Sequence, residues 1–149
     1  MQFSFFVAGT PTPQGSIKSF YIKKINRVVS TSDNLNLKEW RQRIASEAQR
    51  AIPPGFYTND RRQAYRLAAV FYFHKPPSKP KKIKYITTKP DCDKLLRACY
   101  DAMTGICYVD DSQIIGFIPN AITEKRYLES HPDVTHGPGI EITLEKLEA

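Results

Sequence analysis

Apolar residues alternate with the others from the start of the chain. Phe3, Phe5 and Val7 stand against Ser4, Phe6 and Ala8, a period-two pattern that predicts a strand over residues 1–8 with both faces at least partly covered. GTPTPQGS then reads as a loop. Over 18–30, Phe20, Ile22, Ile25, Val28 and Val29 surround the polar centre Lys23, Lys24 and Asn26, which predicts a hairpin turning near 24–26. From Asn36 the period lengthens: Leu37, Trp40, Ile44, Ala48 and Ile52 recur at three- and four-residue steps, while Lys38, Glu39, Arg41, Arg43 and Glu47 face away. This is the pattern of an amphipathic helix. One of Thr31, Ser32, Asp33 and Asn34 is expected to cap it, and Pro53-Pro54 ends it because proline cannot continue the hydrogen-bond ladder.

YRLAAVFYFH, residues 65–74, has the composition and length of a central strand. The next fifteen residues, KPPSKPKKIKYITTK at 75–89, hold six lysines, three prolines and no acid. The prolines oppose regular structure, so an exposed, mobile loop of extended character is expected, either functional or simply a solvated charge run. Leu95, Leu96, Cys99, Ala102 and Met103 form a second helical stripe that begins after Pro90 and stops at Gly105. A strand is expected over 114–128, bent around Pro119 and Asn120, and a last one over 139–144 with Ile140, Ile142 and Leu144 on one face. The sum is an α+β fold, a mixed sheet carrying two principal helices. At 149 residues, a single compact domain spanning 1–149 is expected, since a chain of about 150 residues buries about 68–70% of its unfolded surface around one core.

With 41% hydrophobic and 25% charged residues the chain is expected to fold rather than remain disordered. No apolar run approaches the roughly 20 residues that cross a bilayer, and the N-terminal residues lack the basic region of a secretory signal, so a cytoplasmic protein without a membrane partner is expected. Cys92, Cys99 and Cys107 lack C-x-x-C spacing and lie apart from His74, His131 and His136, which favours packed, reduced thiols over a zinc site. His74, at the strand's end, is expected to be a strand-terminal side chain. The net charge is +7, and eight Lys or Arg against two Asp fall between residues 75 and 97. Such a surface attracts phosphate.

Aspartates inside that basic stretch need a reason. Asp91 and Asp93 are two residues apart where an extended segment enters a helix, a spacing that turns both carboxylates to one side and suits a hard cation such as Mg²⁺. Asp110 or Asp111 completes such a site if the chain folds back beside the start of the helix. Two or three carboxylates around a divalent ion suit phosphodiester hydrolysis. The same residues also suit helix-dipole stabilisation and a turn, and spacing alone leaves both readings open.

The segment KPDCDKLLRACYDAMTGICYVDDSQI, residues 89–114, resembles the core of the RusA family of Holliday junction resolvases, whose pattern runs K-P-D-x-D-N-L-x-K-x-x-x-D-A-L-x-G-x-x-x-D-D-x-Q-V. The strand leading into GTPTPQGS and the terminal PGIEITL are similar to the family's flanks. The resemblance implies a RusA-like fold and a homodimeric, Mg²⁺-dependent endonuclease, with Mn²⁺ able to substitute and no small-molecule cofactor. Its implied substrate is four-way junction DNA, nicked symmetrically in recombination and repair, and its setting a bacterial or phage-infected cell, with phage or prophage origin. By matching positions, Asp91, Asp93 and Asp111 are the implied metal ligands and catalytic carboxylates, with Asp110 the alternate to Asp111. Arg97 stands where the family has lysine and Lys94 where it has asparagine. Arg97, catalytic by position, keeps its charge fixed, whereas lysine titrates. Asp101 falls about two helical turns beyond Asp93 and is expected to serve the structure or support the ligands. Lys75, Lys79, Lys81, Lys82, Lys84, Lys89 and Lys94 are the expected DNA-binding residues, with Tyr85, Phe20 or Tyr21 as stacking candidates. The alternatives are a non-catalytic protein binding branched or single-stranded DNA, and a less selective branched-DNA or flap nuclease.

Overall fold

The structure, a computed structural model, describes residues 1–15, 18–22, 27–31 and 35–148. Seven strands and two α-helices are ordered along the chain as β1 (Gln2–Ala8), β2 (Lys18–Ile22), β3 (Arg27–Thr31), α1 (Leu35–Ala51), β4 (Tyr65–Phe73), α2 (Cys92–Met103), β5 (Ile114–Phe117), β6 (Glu124–Tyr127) and β7 (Gly139–Lys146). β2 and β3 pair antiparallel, Lys18 opposite Thr31 and Ile22 opposite Arg27. The expected turn at 24–26 and the capping candidates Ser32, Asp33 and Asn34 lie outside the described residues, as do the side chains of Phe20, Tyr21 and Thr31.

The main sheet runs β1-β7-β4, with β5 and β6 both on the far edge of β4. β7 is antiparallel to both its neighbours, while β5 and β6 are parallel to β4, so the sheet is mixed. Its register aligns apolar residues in rows: Phe5, Ile142 and Ala69 in one, Val7, Ile140 and Phe71 in the next. These residues are buried because alternate side chains of each strand share a face. Leu37, Trp40, Ile44 and Ala48 of α1 cover that face together with Leu95, Leu96, Cys99 and Met103 of α2, the two stripes expected from the sequence. Gly139 allows β1 and β7 to meet, since a Cβ there would lie 2.3 Å from the Val7 carbonyl oxygen.

The expected strand over 114–128 is two strands. Pro119 has no N–H to donate to a ladder and Asn120 takes a left-handed φ of 63°, so the chain turns away and rejoins β4 further along. β5 pairs near Tyr65 and Leu67, β6 near Val70 and Phe73. His74 lies just past β4, its Nδ1 3.4 Å from Glu129. Cys99 and Cys107 are buried free thiols and Cys92 is half-buried. Burial pushes the Cys107 thiol up to about 12 and the Cys99 thiol higher still, so neither ionises at neutral pH. Among the described residues, no helix is long and apolar enough to cross a membrane.

Candidate active site

α2 begins where Pro90 leaves the preceding turn and ends where Gly105 takes a φ of 83°. Its buried stripe faces the sheet, leaving Asp93, Arg97 and Asp101, four residues apart in succession, along its outer side. Asp91 occupies the N-cap position in an extended conformation without a side-chain capping bond. Instead its carboxylate lies 3.5 Å from the Lys94 ammonium. Asp93 is exposed, and among the described residues neither it nor Arg97 has an ion-pair partner. Asp91 at the N-cap and Asp93 in the first turn hold the positions that the helix-dipole reading requires, so that reading and the metal reading both stand.

Lys125 of β6 holds the turn ahead of α2, donating to the carbonyl oxygens of Thr88 and Pro90, each at 3.0 Å. On the other side, the Gln14 N–H donates to the Lys94 carbonyl oxygen at 3.0 Å. The Gln14 side chain joins both helices: Arg41 of α1 donates to its oxygen at 2.9 Å, and its amide nitrogen donates to Asp101 at 2.5 Å.

The two adjacent aspartates before β5 have different fates. Asp110 caps the short 3₁₀ turn Asp111–Gln113, its carboxylate accepting the Ser112 N–H at 3.0 Å. Hydrogen bonds from Ser112, through its side chain and then its backbone, hold the Asp110 carboxyl below its ordinary value, with a smaller contribution from the Arg61 charge. Among the described residues, Asp111 has no basic partner. Burial first, then the charges of Asp110 and Asp101 and a hydrogen-bonding contact with the Asp101 side chain, push its carboxyl above the ordinary value. Two carboxyls drawn together in this way form an electrostatic environment that a cation relieves.

The structure gathers Asp111 with Asp101 rather than with Asp91 and Asp93. The link 104–109 is short and closes on itself: Thr104 bridges Tyr108, and the Tyr108 hydroxyl donates to the Tyr100 carbonyl oxygen at 2.7 Å. The chain therefore returns beside α2 where Tyr100 and Asp101 stand. Among the described residues, no three His, Cys, Asp or Glu side chains stand close enough to hold a metal ion together. The donors present are nevertheless all carboxylate oxygens, the chemistry preferred by a hard divalent cation.

Gln113 fixes this region. Its side-chain oxygen accepts the N–H groups of Val109 (2.9 Å) and Asp110 (3.0 Å), and its amide donates to the carbonyls of Asp60 (3.1 Å) and Gln63 (2.9 Å). It is the one buried polar or charged residue among those described. Gln113→Ala strands these backbone groups and is expected to lower stability by about 2–4 kcal/mol. Denaturant unfolding reads this directly, and a loss below about 1 kcal/mol would show that the groups find other partners. Gln14, Lys125 and Gln113 are positioning residues that periodicity and charge passed over. Of these, only Gln113 had a signal, as the Q of the D-D-x-Q motif.

The basic segment departs from an extended course. Lys79 N–H donates to the Pro76 carbonyl and Ile83 N–H to that of Pro80, at 3.0 and 3.1 Å, making two successive turns, which proline's fixed φ favours. Lys75 supports them from inside, its ammonium 3.3 Å from the Lys81 carbonyl oxygen, 2.6 Å from that of Ile83, and 5.9 Å from the centre of the Tyr127 ring. Lys75 is therefore spent on the loop's own shape. Lys81, Lys82, Lys84 and Lys89 are exposed, Lys79 is half-exposed, and Tyr85 is 75% exposed.

No match was found among curated proteins. The family model described as Endodeoxyribonuclease RusA matches residues 9–145 of the 149, taking in the helix, both aspartate pairs and the basic loop. It is a family of Holliday junction resolvases, nucleases generally dependent on a divalent metal. With nearly its whole length matched, the chain belongs to the RusA family of endodeoxyribonucleases.

Proposed function

We propose that this endonuclease is a Mg²⁺-dependent resolvase that cuts four-way junctions by paired, symmetric nicks as a homodimer, each copy a single domain over 1–149. The observation that carries the site assignment is the division of labour between neighbours: Asp110 is committed to a cap, while among the described residues Asp93 and Asp111 have no cationic side chain paired with them. As the family's spacing of aspartates implies, Asp91, Asp93 and Asp111 would hold the ion, with Mn²⁺ able to substitute. The bound ion supplies charge neutralisation at the phosphate and a more acidic water.

The remaining work belongs to the chain itself. Arg97 presents a fixed positive charge and a planar set of donors to the phosphate oxygens, and so stabilises charge without exchanging a proton. Lys94, whose ammonium lies 3.5 Å from the Asp91 carboxylate, would also reach a phosphate held there. Lys79, Lys81, Lys82, Lys84 and Lys89 hold DNA backbone through contacts that do not read sequence. A two-fold dimer matches the junction's own symmetry and delivers both cuts in one encounter. The setting proposed is the cytoplasm of a bacterial or phage-infected cell, in DNA recombination and repair.

The experiment is an end-labelled mobile four-way junction incubated with Mg²⁺ or with EDTA and resolved on a denaturing gel, beside linear duplex and flap substrates. Symmetric nicks confined to the junction and the Mg²⁺ lane are expected. Equal cutting of flaps moves the assignment to a less selective branched-DNA nuclease, and tight binding with no nick under Mg²⁺ or Mn²⁺ overturns it in favour of a non-catalytic binder.

A further inference from the structure

Beside the start of α2 lies a cavity of about 740 Å³ whose apolar lining the metal and backbone contacts leave unused. Pro11, Pro13, Phe73 and Pro90 supply its apolar lining, and Lys89, Asp91 and Lys94 its charged groups. Its volume is in the range of small-molecule sites, as is its construction from apolar walls with a few polar groups. The two lysines favour an anionic molecule, whereas the proline rings and Phe73 favour a flat, apolar one. A nucleotide satisfies both.

We propose that this cavity takes one unstacked nucleobase of the strand being cut, next to the phosphate at Asp91 and Asp93. The inference rests on the nuclease reading above and adds a base-holding site to it. Continuity identifies the occupant: Asp91 and Lys94 belong to the cavity and to the carboxylate site alike, so a strand whose phosphate is held there has its adjoining base at the cavity's mouth. Extruding a base costs least where stacking and pairing are already interrupted, and the crossover of a branched DNA is such a place. Stacking on apolar and aromatic faces then offsets the loss. The cavity thus favours a strand at a branch over the same strand inside duplex.

Gly15 provides a test with little risk to folding. It lines the cavity, its φ is not left-handed, and among the described residues a Cβ there meets nothing within 4 Å, so Gly15→Leu adds bulk where the described structure leaves room. Thr10→Leu, on an exposed residue of the same wall, is the second plug should the first misfold. A four-way junction carrying 2-aminopurine beside the nick site is titrated with protein in EDTA, and its fluorescence, its binding and, after Mg²⁺ addition, its nicking are followed. The unmodified chain is expected to raise the fluorescence on binding. Each plug is expected to suppress most of that rise and slow nicking about tenfold, as loss of one base-stacking contact predicts, with binding held by the lysines within about threefold. A fluorescence rise as large in both plugged variants as in the unmodified chain, with binding intact, overturns the base site and leaves the resolvase standing. So does an unmodified chain that binds and nicks without any rise. Failure of the unmodified chain to bind or nick the junction overturns both readings.

Discussion

Asp111→Asn and Asp93→Asn are each expected to reduce Mg²⁺-dependent junction nicking roughly 10³-fold, the scale of losing a ligand that stabilises charge at the reacting phosphate. Asp110→Asn is expected to cost no more than about threefold, because asparagine caps a helical turn as well as aspartate does. The contrast separates two adjacent carboxylates on structural grounds. Asp110 accepts the Ser112 N–H, whereas Asp111 is half-buried against Asp101 and, among the described residues, has no base beside it. All three substitutions remove one negative charge from a surface that meets phosphate, so junction binding in EDTA is expected to stay the same or tighten. Single-turnover nicking beside a gel-shift titration measures both. Equal loss in the Asp110 and Asp111 variants would sink the assignment, and weakened binding would mean that these carboxylates shape the surface rather than the reaction.

Replacing Lys79, Lys81, Lys82 and Lys84 together by alanine should flatten the salt dependence of junction binding by about three to four in log–log slope, if each meets one phosphate and releases about 0.9 counterion. Affinity in low salt falls with it, by about 10²-fold or more. Lys75→Ala is expected to act differently. Its ammonium already donates to the Lys81 and Ile83 carbonyls, so the slope changes by less than one while the turns that present the other lysines loosen. Binding isotherms at four salt concentrations for the quadruple variant and for Lys75→Ala check this, and an unchanged slope in the quadruple variant takes the loop out of the interface.

What the sequence made legible was whatever one element settles alone. The stripe Leu37, Trp40, Ile44, Ala48 needs only a helix's period to be read, and its burial follows. The alternation in 139–144 likewise declares its inward face, and the 89–114 segment carries the family's spacing of aspartates. Pairings between elements were not legible. Nothing local in 114–128 says that both halves lie along β4, since that depends on β4 offering an edge long enough for two short parallel strands. Asp101 looked like a supporting residue on spacing and meets Asp111 because a short link folds back onto Tyr100. Lys75 was indistinguishable by charge from its neighbours. Its inward course follows from the carbonyls that two proline-led turns leave pointing at it.

The place of β7 in the sheet bears on when this nuclease comes into being. β7 lies between β1 and β4 and supplies partners for both, yet it is the last of the described strands to be synthesised. Until residues 139–146 leave the ribosome, β1 has no neighbour in the main sheet, and Phe5 and Val7 lack the Ile142 and Ile140 they pack beside in the finished sheet. Pairings this distant in sequence form late and slowly. The platform under α2 therefore closes after translation has passed the aspartates, the lysines and the last helix, so a chain interrupted before residue 139 carries every residue proposed for the cutting site on a sheet it cannot complete.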